Sequence, residues 1–467
     1  LKPCLSLPPC CALAPALPFM KMDRNSNAGI EALVPSAHSA ERSSFSAPAP
    51  SSEGGANKLT SRQLAMNLIC GGLGTGMFSL PSSTAGSSLL PAFVMLLGMV
   101  VLNAWTIMIL VDAAEAHQVF DIGALVGLLP HRVLRGRLRL GALAQAFINA
   151  MVVVVCMISL ISYLIVIDDA LAPFVKGTSV DFGGSRVPPV TLAALCMVPL
   201  CFLEQRYLSW SSAVALLVNV YIIAVMGVLF VKTSSSDEGL PHGSCLLGVG
   251  KGSISMLAVL GQCFVVQMCV LPMYEELEDR NPRTFKHCLL IAFGVLAVIF
   301  GLFALLGYLT FGPKVSGNAL KDLPHATYTA IARIGTILVA SALYPIMAIP
   351  MVAPVRNMAS SRYGTSCTKL LTTLTIFAMV LTSYIFALIV PDLLVVNVIG
   401  GALCVGVFAS VGPGLVGLYL TRSEGASWKA LMYVLILFGM ANAVAGIVFP
   451  DNYEGDMSSH CAISAVQ

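Results

Sequence analysis

Charged residues are scarce in this chain. Asp, Glu, Lys and Arg together make up only 10% of the 467 residues, whereas 57% of the residues are hydrophobic. A soluble domain usually carries about 25% charged residues, and the mean hydropathy here is +0.86. This composition excludes a soluble protein and predicts a polytopic membrane protein that is embedded in the lipid bilayer.

The sequence also lacks the motifs of enzyme and cofactor chemistry. It has no Gly-Lys-Ser/Thr phosphate loop, no His-Glu-x-x-His zinc motif and no Gly-x-Ser-x-Gly nucleophile elbow. The 14 cysteines form no Cys-x-x-Cys pair and no Cys/His cluster with metal-ligand spacing, so we interpret them as small apolar packing residues. We therefore expect no enzyme, no cofactor, no metal and no nucleic-acid partner, and nothing in the sequence indicates an oligomeric state.

Long apolar runs divide the chain. A membrane-spanning helix needs about 20 residues, and we count eleven candidate runs, of which the fourth is short. They cover approximately 63–86, 89–111, 141–167, 188–203, 209–231, 252–274, 288–311, 327–354, 369–390, 392–420 and 429–449. Pro391-Asp392 separates two runs that would otherwise be too long for one helix.

The remaining segments define the predicted domain organisation. Residues 1–60 are rich in Ser, Ala and Pro, which predicts a disordered N-terminal tail. A transmembrane domain follows over 61–450, and 451–467 form a short C-terminal tail.

Basic residues are unevenly distributed between the loops. One set of alternate loops holds thirteen of them, namely Arg132, Arg135, Arg137, Arg139, Arg206, Arg280, Arg283, Lys286, Arg356, Arg362, Lys369, Arg422 and Lys429. The other set holds six, namely Lys176, Arg186, Lys232, Lys251, Lys314 and Lys321. Basic loops favour the cytoplasmic side, which predicts a cytoplasmic N-terminus and a C-terminus on the other side of a plasma membrane or a vacuolar or lysosomal membrane.

The first span contains a stretch unsuited to a continuous helix. Gly71, Gly72, Gly74 and Gly76 fall within six residues, and Pro81 follows. Inside a helix each glycine costs roughly 1 kcal/mol and a proline roughly 3 kcal/mol. Broken backbone survives in a membrane only where it faces protein or a polar cavity. We therefore predict a broken helix whose bare backbone groups bind a ligand, in preference to glycines that only allow close helix packing.

A second break is predicted in the sixth span. It opens at Gly261-Gln262-Cys263, extends to Gln267, and is followed by a further interruption at Leu271-Pro272. Spans one and six correspond to each other in a 5+5 inverted repeat. Paired broken helices in the two halves are the best sequence indicator of a transporter binding site.

The first break supplies candidate backbone ligands. The N–H groups of Thr75 and Gly76, exposed by Gly74, lie at a helix N-terminus, where partial positive charge favours an α-carboxylate. Carbonyls near Gly71 and Gly72 would accept hydrogen bonds from an α-ammonium group.

The second break supplies candidate side chains. Gln262 and Gln267 could contact a substrate or bridge helices, and Phe264 could be a gate or a core aromatic residue. Neither broken span carries a charged residue in its middle, and an unpaired charge there would be expensive. These features favour a neutral amino acid as substrate.

Several motifs occur in a characteristic order. They are Asn67-Leu68, Gly74-Thr75-Gly76-Met77, Leu80-Pro81, Leu271 to Leu277, Gly307 to Gly312, Ile331-Ala332-Arg333, Pro345 with Pro350, and Gly400-Gly401-Ala402 with Pro413. With these motifs, residues 60–450 resemble the amino acid/auxin permease family of the amino acid–polyamine–organocation superfamily. The resemblance implies an all-α leucine-transporter-type fold with one additional helix, eleven in all, and secondary transport of amino acids by alternating access.

The sequence departs from the sodium-coupled branch of that family at the coupling site. By resemblance, Cys70 stands where that branch has a sodium-ligating asparagine, and Leu343 stands where it has a ligating threonine. Ser341 could replace the threonine only with a register shift. Hard cations prefer oxygen ligands, so we predict coupling to H⁺ or uncoupled exchange in preference to coupling to Na⁺.

Two other functions remain open from the sequence. A membrane amino acid sensor would bind its ligand without much flux, and its signalling segment would have to be the N-terminal tail. A channel-like facilitator would lack saturable counterflow. Deletion of residues 1–57 separates the first alternative from a transporter, because only sensing would be lost.

Overall fold

A computed structural model describes residues 59–130, 132–133, 138–176, 185–202, 211–235, 244–248, 250–362, 364–421, 425–450 and 461–464. Nearly all of the predicted N-terminal tail and most of the C-terminal tail lie outside these residues, as do four of the basic loop residues used above, Arg135, Arg137, Arg206 and Arg422.

The described chain is almost entirely helical. Its α-helices are α1 Ser61–Gly72, α2 Leu80–Ser87, α3 Leu89–His117, α4 Ile122–Gly127, α5 Leu140–Val175, α6 Val187–Leu200, α7 Ser211–Ser234, α8 Gly252–Phe264, α9 Gln267–Glu275, α10 Pro282–Phe311, α11 Thr327–Arg362, α12 Thr365–Ile389, α13 Leu393–Leu403, α14 Gly412–Tyr419 and α15 Ala426–Val448. Short 3₁₀ turns cover Thr75–Ser79 and Gly312–Lys314, and a π-helix over Cys404–Val411 joins α13 to α14.

Nine helical segments of the described residues are long and apolar enough to cross a bilayer. A tenth span consists of two helical pieces, Ser61–Gly72 and Thr75–Ser87, that meet at an angle of 46°. The all-α, multi-pass architecture is thereby confirmed. The short helix α6, with 14 residues, lies at the fourth predicted span. At 1.5 Å per residue it is about 21 Å long, less than the roughly 30 Å hydrocarbon core, so the count of eleven stays a prediction.

Two sequence predictions about helix ends have different outcomes. The division at Pro391-Asp392 is confirmed, since α12 ends at Ile389 and Asp392 caps α13 through a hydrogen bond to the Leu394 N–H. The predicted interruption at Pro272 is wrong, because this proline lies inside the continuous helix α9. A proline removes only one backbone bond, and neighbouring groups can compensate inside a membrane protein.

The helices differ in how much of their surface meets the membrane. Helix α5 packs on α11, and α8 packs on both α2 and α13, so these elements form the centre of the bundle. Helices α12 and α15 are peripheral and expose large apolar side chains, among them Leu381 and Leu437. Exposed apolar faces of this kind are expected where a helix contacts lipid.

Four short strands complete the described structure. Strands β1 Arg132–Val133 and β2 Leu138–Arg139 form one antiparallel pair, and β3 Cys245–Gly248 and β4 Cys461–Ser464 form another. A disulfide joins Cys245 to Cys461 across the β3–β4 pair. The interpretation of all cysteines as packing residues is therefore wrong for this pair, whose separation of 216 residues leaves no local spacing pattern to detect. We call the end of the bundle at β3–β4 the ribbon end.

Candidate functional site

The first break lies between Gly72 and Thr75. The α1 helix ends at Gly72, Leu73 still donates to the Ile69 carbonyl at 3.2 Å, and Gly74 then adopts an extended conformation before the 3₁₀ turn begins. A Cβ atom placed on Gly74 would meet no other atom within 4 Å. The predicted break is thus present, and Gly74 faces open space rather than a packed neighbour.

A buried asparagine holds the broken backbone in place. Asn397, on α13, donates through Nδ2 to Ser79 Oγ at 2.9 Å and to the Thr75 carbonyl at 3.3 Å. Its Oδ1 accepts from Ser162 Oγ at 3.2 Å and from Thr75 Oγ1 at 3.4 Å. Asn397 was not predicted as a site residue, although it is the single side-chain amide within the run 392–420. The residue joins the first, third and tenth predicted spans at one point.

A cavity lies beside this break. Leu73, Gly74 and Thr75 form one wall, and side chains of α5, α7 and α11 form the others, including Asn219, Thr336 and Leu343. Its volume is about 20 Å³, which is room for about one water molecule. The lining contains no charged side chain. An amino acid can enter only if the surrounding helices move apart.

Two polar side chains of the far walls bond their own helices, and Tyr163 of α5 also lines the cavity. Asn219 Nδ2 donates to the Ala215 carbonyl at 2.7 Å, and Thr336 Oγ1 donates to the Ala332 carbonyl at 2.9 Å. The extended backbone around Gly74 is therefore a candidate for binding a polar ligand.

The second break is smaller than the first. Val265 and Val266 separate α8 from α9, and the two helices still form one span without a comparable bend. Phe264 is fully buried, and its ring lies edge-on to Phe293 at 5.7 Å and to Phe300 at 5.3 Å between centroids. This geometry is that of a packed core aromatic residue.

The two predicted glutamines contact neighbouring helices. Gln262 Nε2 lies 3.5 Å from Ser159 Oγ, and Gln262 Oε1 accepts from Cys404 Sγ at 3.6 Å. Gln267 is fully buried, and its Nε2 donates to Asn103 Oδ1 at 2.8 Å, whereas its Oε1 has no partner among the described residues. Gln262, Phe264 and Gln267 are not part of the cavity lining.

The two breaks nevertheless pack directly against each other. A Cβ atom on Gly76 would lie 2.8 Å from Cys263 Sγ, and one on Gly72 would lie 3.4 Å from the Cys263 carbonyl. A Cβ atom on Gly71 would lie 3.7 Å from a methyl group of Val266. These glycines permit close approach of the two broken spans, while Gly74 opens toward the cavity.

The three predicted coupling residues do not lie together in the structure. Leu343 lines the cavity with its apolar side chain, opposite Gly74 and Thr75. Cys70, in the last turn of α1, and Ser341, on α11, are half-buried and do not belong to the lining. Leu343 therefore offers no oxygen to the cavity, and the α11 hydroxyl that does line it, that of Thr336, already donates to the Ala332 carbonyl.

At the end opposite the ribbon, the two broken spans are joined by backbone pairing. The Leu59 N–H donates to the Glu276 carbonyl at 2.8 Å, and the Leu59 carbonyl accepts from the Glu278 N–H at 3.0 Å. These bonds form a parallel β-bridge between Leu59 and Leu277. Burial beside Glu275 raises the pKa of the Glu276 carboxyl. This pairing holds the two broken spans together at this end.

Near the ribbon end, buried charges tie several elements together. Asp169 accepts from Asn318 Nδ2 at 2.8 Å and lies 3.4 Å from Lys321 Nζ. The neighbouring Asp168 is paired with Arg186, and Arg186 also donates to the Pro391 carbonyl at 2.9 Å. These contacts link α5 to the loops that precede α6, α11 and α13.

The first span is bent and packs against the interrupted sixth span. Such a pair of discontinuous helices is typical of a class of membrane transport proteins. The overall fold is similar to Mhp1 in its inward-facing conformation, with a TM-score of 0.53, 11% identity, and coverage of 84% of this chain and 89% of that one. It is also similar to MhsT in complex with L-phenylalanine, with a TM-score of 0.53, 13% identity, and coverage of 83% and 100%. These similarities confirm the leucine-transporter-type fold.

Residues 57–449 match the family described as transmembrane amino acid transporter protein, and the chain belongs to this family. It is a multi-pass integral membrane protein, and its family is one of transporters rather than enzymes.

Individual relatives match shorter stretches. Amino acid transporter AVT3A of Arabidopsis thaliana is 28% identical over 38% of this chain and 40% of its own length. Vacuolar amino acid transporter 7 of Saccharomyces cerevisiae is 27% identical over 46% and 44%. Putative sodium-coupled neutral amino acid transporter 10 of Xenopus laevis is 23% identical over 36% and 16%. The matches therefore span less than half the length of each of these relatives.

Proposed function

We propose that this protein is a secondary active transporter of neutral L-amino acids that works by alternating access. The observation that carries the proposal is the bent break at Gly74–Thr75, which faces a small cavity with no charged side chain among its described lining residues. Membership of the amino acid transporter family supports the substrate class.

The substrate would bind through the backbone of the first span. The N–H groups of Thr75 and Gly76 would donate to the α-carboxylate, and carbonyls near Gly71 and Gly72 would accept from the α-ammonium group. Asn397 already occupies the Thr75 carbonyl, so its role is to hold the donors in position. Because the cavity has room for about one water molecule, substrate entry requires separation of α1–α2 from α5 and α11.

We also propose coupling to protons, or exchange, in preference to coupling to sodium. Leu343 presents an isobutyl group to the cavity where a sodium site needs oxygen ligands. The name of the Xenopus relative mentions sodium coupling, so this part of the proposal needs its own test.

The proposed orientation has the N-terminus in the cytoplasm. The Cys245–Cys461 disulfide lies at the end of the bundle that the basic loops predict to be outside or lumenal. Disulfides persist in oxidising compartments and are rare in the cytosol, which supports this orientation. A plasma membrane or a vacuolar or lysosomal membrane fits both observations.

The decisive experiment is uptake of a panel of radiolabelled amino acids into proteoliposomes, with and without a pH gradient and with sodium absent. We expect saturable uptake of a neutral amino acid that increases with the gradient. A strict requirement for sodium would keep the transporter and overturn the coupling proposal. Ligand binding without uptake in any ion condition would replace the transporter with a sensor, and uptake without saturation or counterflow would replace it with a facilitator.

A further inference from the structure

A large apolar groove opens on the membrane-facing side of the ribbon end, away from the cavity at Gly74. Its walls are the first part of α3 and the last part of α10, with Leu90, Phe93, Leu97, Val298, Gly301 and Leu302 among its lining residues. The groove has a volume of about 490 Å³. We call it the outer groove.

The outer groove is dry. Thr84 is the only residue of its lining with a polar side chain, and the Thr84 hydroxyl already donates to the Leu80 carbonyl at 2.8 Å. A water molecule in a cavity needs two to four polar partners, and apolar cavities without them stay empty of water. The occupant must therefore be apolar.

The rim of the outer groove faces the lipid. Phe93 is 52% exposed and Val298 is 60% exposed, and both belong to helices that span the membrane. Since the surrounding solvent at this depth is hydrocarbon, lipid chains are the apolar molecules with direct access to the groove.

The dimensions match one leaflet. Lining residues run from Leu89 to Leu97 on α3 and from Ala297 to Leu305 on α10, which at 1.5 Å per residue is about 12 Å. Half of the roughly 30 Å hydrocarbon core is about 15 Å. The groove therefore follows the depth of the leaflet at the ribbon end.

Two exposed lysines flank helices that line the groove, and they indicate the class of lipid. Lys251 precedes α8, whose Met256 contributes to the lining, and Lys314 follows α10; both lysines are exposed. Cations at this level suit a lipid phosphate. A sterol would need a polar partner for its hydroxyl, and Thr84, the polar residue among the described lining, is only 1% exposed.

We propose that the outer groove binds one acyl chain of a phospholipid from the leaflet at the ribbon end. The bound chain would contact α2 through Thr84, α8 through Met256 and α10 through Gly301, so it would sit between the ribbon-end halves of both broken spans. This proposal concerns lipid binding and does not depend on the transported substrate.

The test uses the full chain in phosphatidylcholine nanodiscs that contain a trace of phosphatidylcholine with a diazirine in its acyl chain. After irradiation, we expect adducts concentrated on the groove segments of α3 and α10. Gly301→Leu fills the groove, because a side chain there projects toward Leu96. It should lower labelling of these segments by roughly tenfold, the factor that corresponds to about 1.4 kcal/mol.

Gly294→Leu is the matched control, since Gly294 is an exposed glycine on the same helix whose Cβ position is open and which does not line the groove. It should label as the wild type does. Thermal unfolding shows whether Gly301→Leu is folded. If it is not, Ala297→Phe is a second variant in which a larger side chain fills the groove. Labelling spread evenly over the exposed helices, and equal in the filled variants, would overturn the proposal. The proposal would also be overturned if a diazirine-labelled sterol labels the groove and excess phosphatidylcholine does not reduce that labelling.

Discussion

The two broken spans occupy corresponding positions in the repeat and yet differ in construction. The first bends by 46° at Gly74, carries a 3₁₀ turn, and is held by the side chain of Asn397 from a third helix. The second is interrupted at Val265–Val266, bends less than the first, and is fixed by aromatic packing around Phe264. The first break opens toward a cavity, whereas the second is filled by protein.

This difference indicates a division of labour. Backbone groups are exposed by a glycine-rich extended segment in the first span, and any ligand there would be bound by main-chain atoms. In the second span the polar side chains are already engaged with neighbouring helices, as Gln267 is with Asn103. Substitutions in the second break should therefore change stability, and those at the cavity side of the first should change transport.

The largest expected effect is on stability, at the second break. Phe264→Ala removes a fully buried ring and its contacts with Phe293 and Phe300. Substitutions of this kind cost about 3–5 kcal/mol in protein cores. Thermal unfolding in detergent should show a large decrease in Tm, while KM of the protein that remains folded changes little. Phe377→Ala, at an exposed position on α12, is the control. A raised KM with unchanged Tm would place Phe264 at the substrate instead.

The next effect concerns the support of the first break. Asn397→Ala leaves the Thr75 carbonyl without this donor, at a cost of about 1–3 kcal/mol, whereas the hydroxyls of Ser79 and Ser162 can rotate toward backbone carbonyls of the preceding turn. We expect lower stability together with loss of uptake.

Asn442→Ala is the matched control for this change, because Asn442 is also a buried asparagine in a membrane span but its Nδ2 has no partner among the described residues. Uptake by Asn442→Ala should stay near the wild-type rate. Equal losses in the two variants would remove the special role of Asn397.

The contact between the two breaks can be tested by a rescue. Gly76→Ala places a methyl group 2.8 Å from Cys263 Sγ, and this overpacking should cost about 1 kcal/mol. Cys263→Ala removes the sulfur and should restore the Tm of Gly76→Ala in the double variant. If the double variant is no more stable than Gly76→Ala alone, the two spans do not meet as described.

The sequence predicted the elements that leave a local mark. Four closely spaced glycines identify the first break, and the length and hydropathy of the apolar runs identify the spans. It did not predict contacts between distant segments. Asn397 and Thr75 are 322 positions apart, and the disulfide joins cysteines 216 positions apart. Phe264 shows a further limit, because a buried aromatic ring and a gating ring have the same sequence signature.

The smallest expected effect on stability lies at the centre of the proposed site. Gly74 has an extended conformation that alanine can adopt, and its Cβ position is open, so Gly74→Ala should change stability by about 0.4–1 kcal/mol or less. The added methyl group would nevertheless enter a cavity of about 20 Å³ and approach the N–H groups proposed to bind the carboxylate. Loss of one such hydrogen bond, about 1.4 kcal/mol, corresponds to roughly tenfold weaker substrate binding.

Gly98→Ala, at an exposed glycine on α3 that also has an open Cβ position, controls for the change of residue type. Equal KM values for the two variants would show that the substrate does not contact the first break, and the comparison between the two broken spans would then describe only how the fold is built.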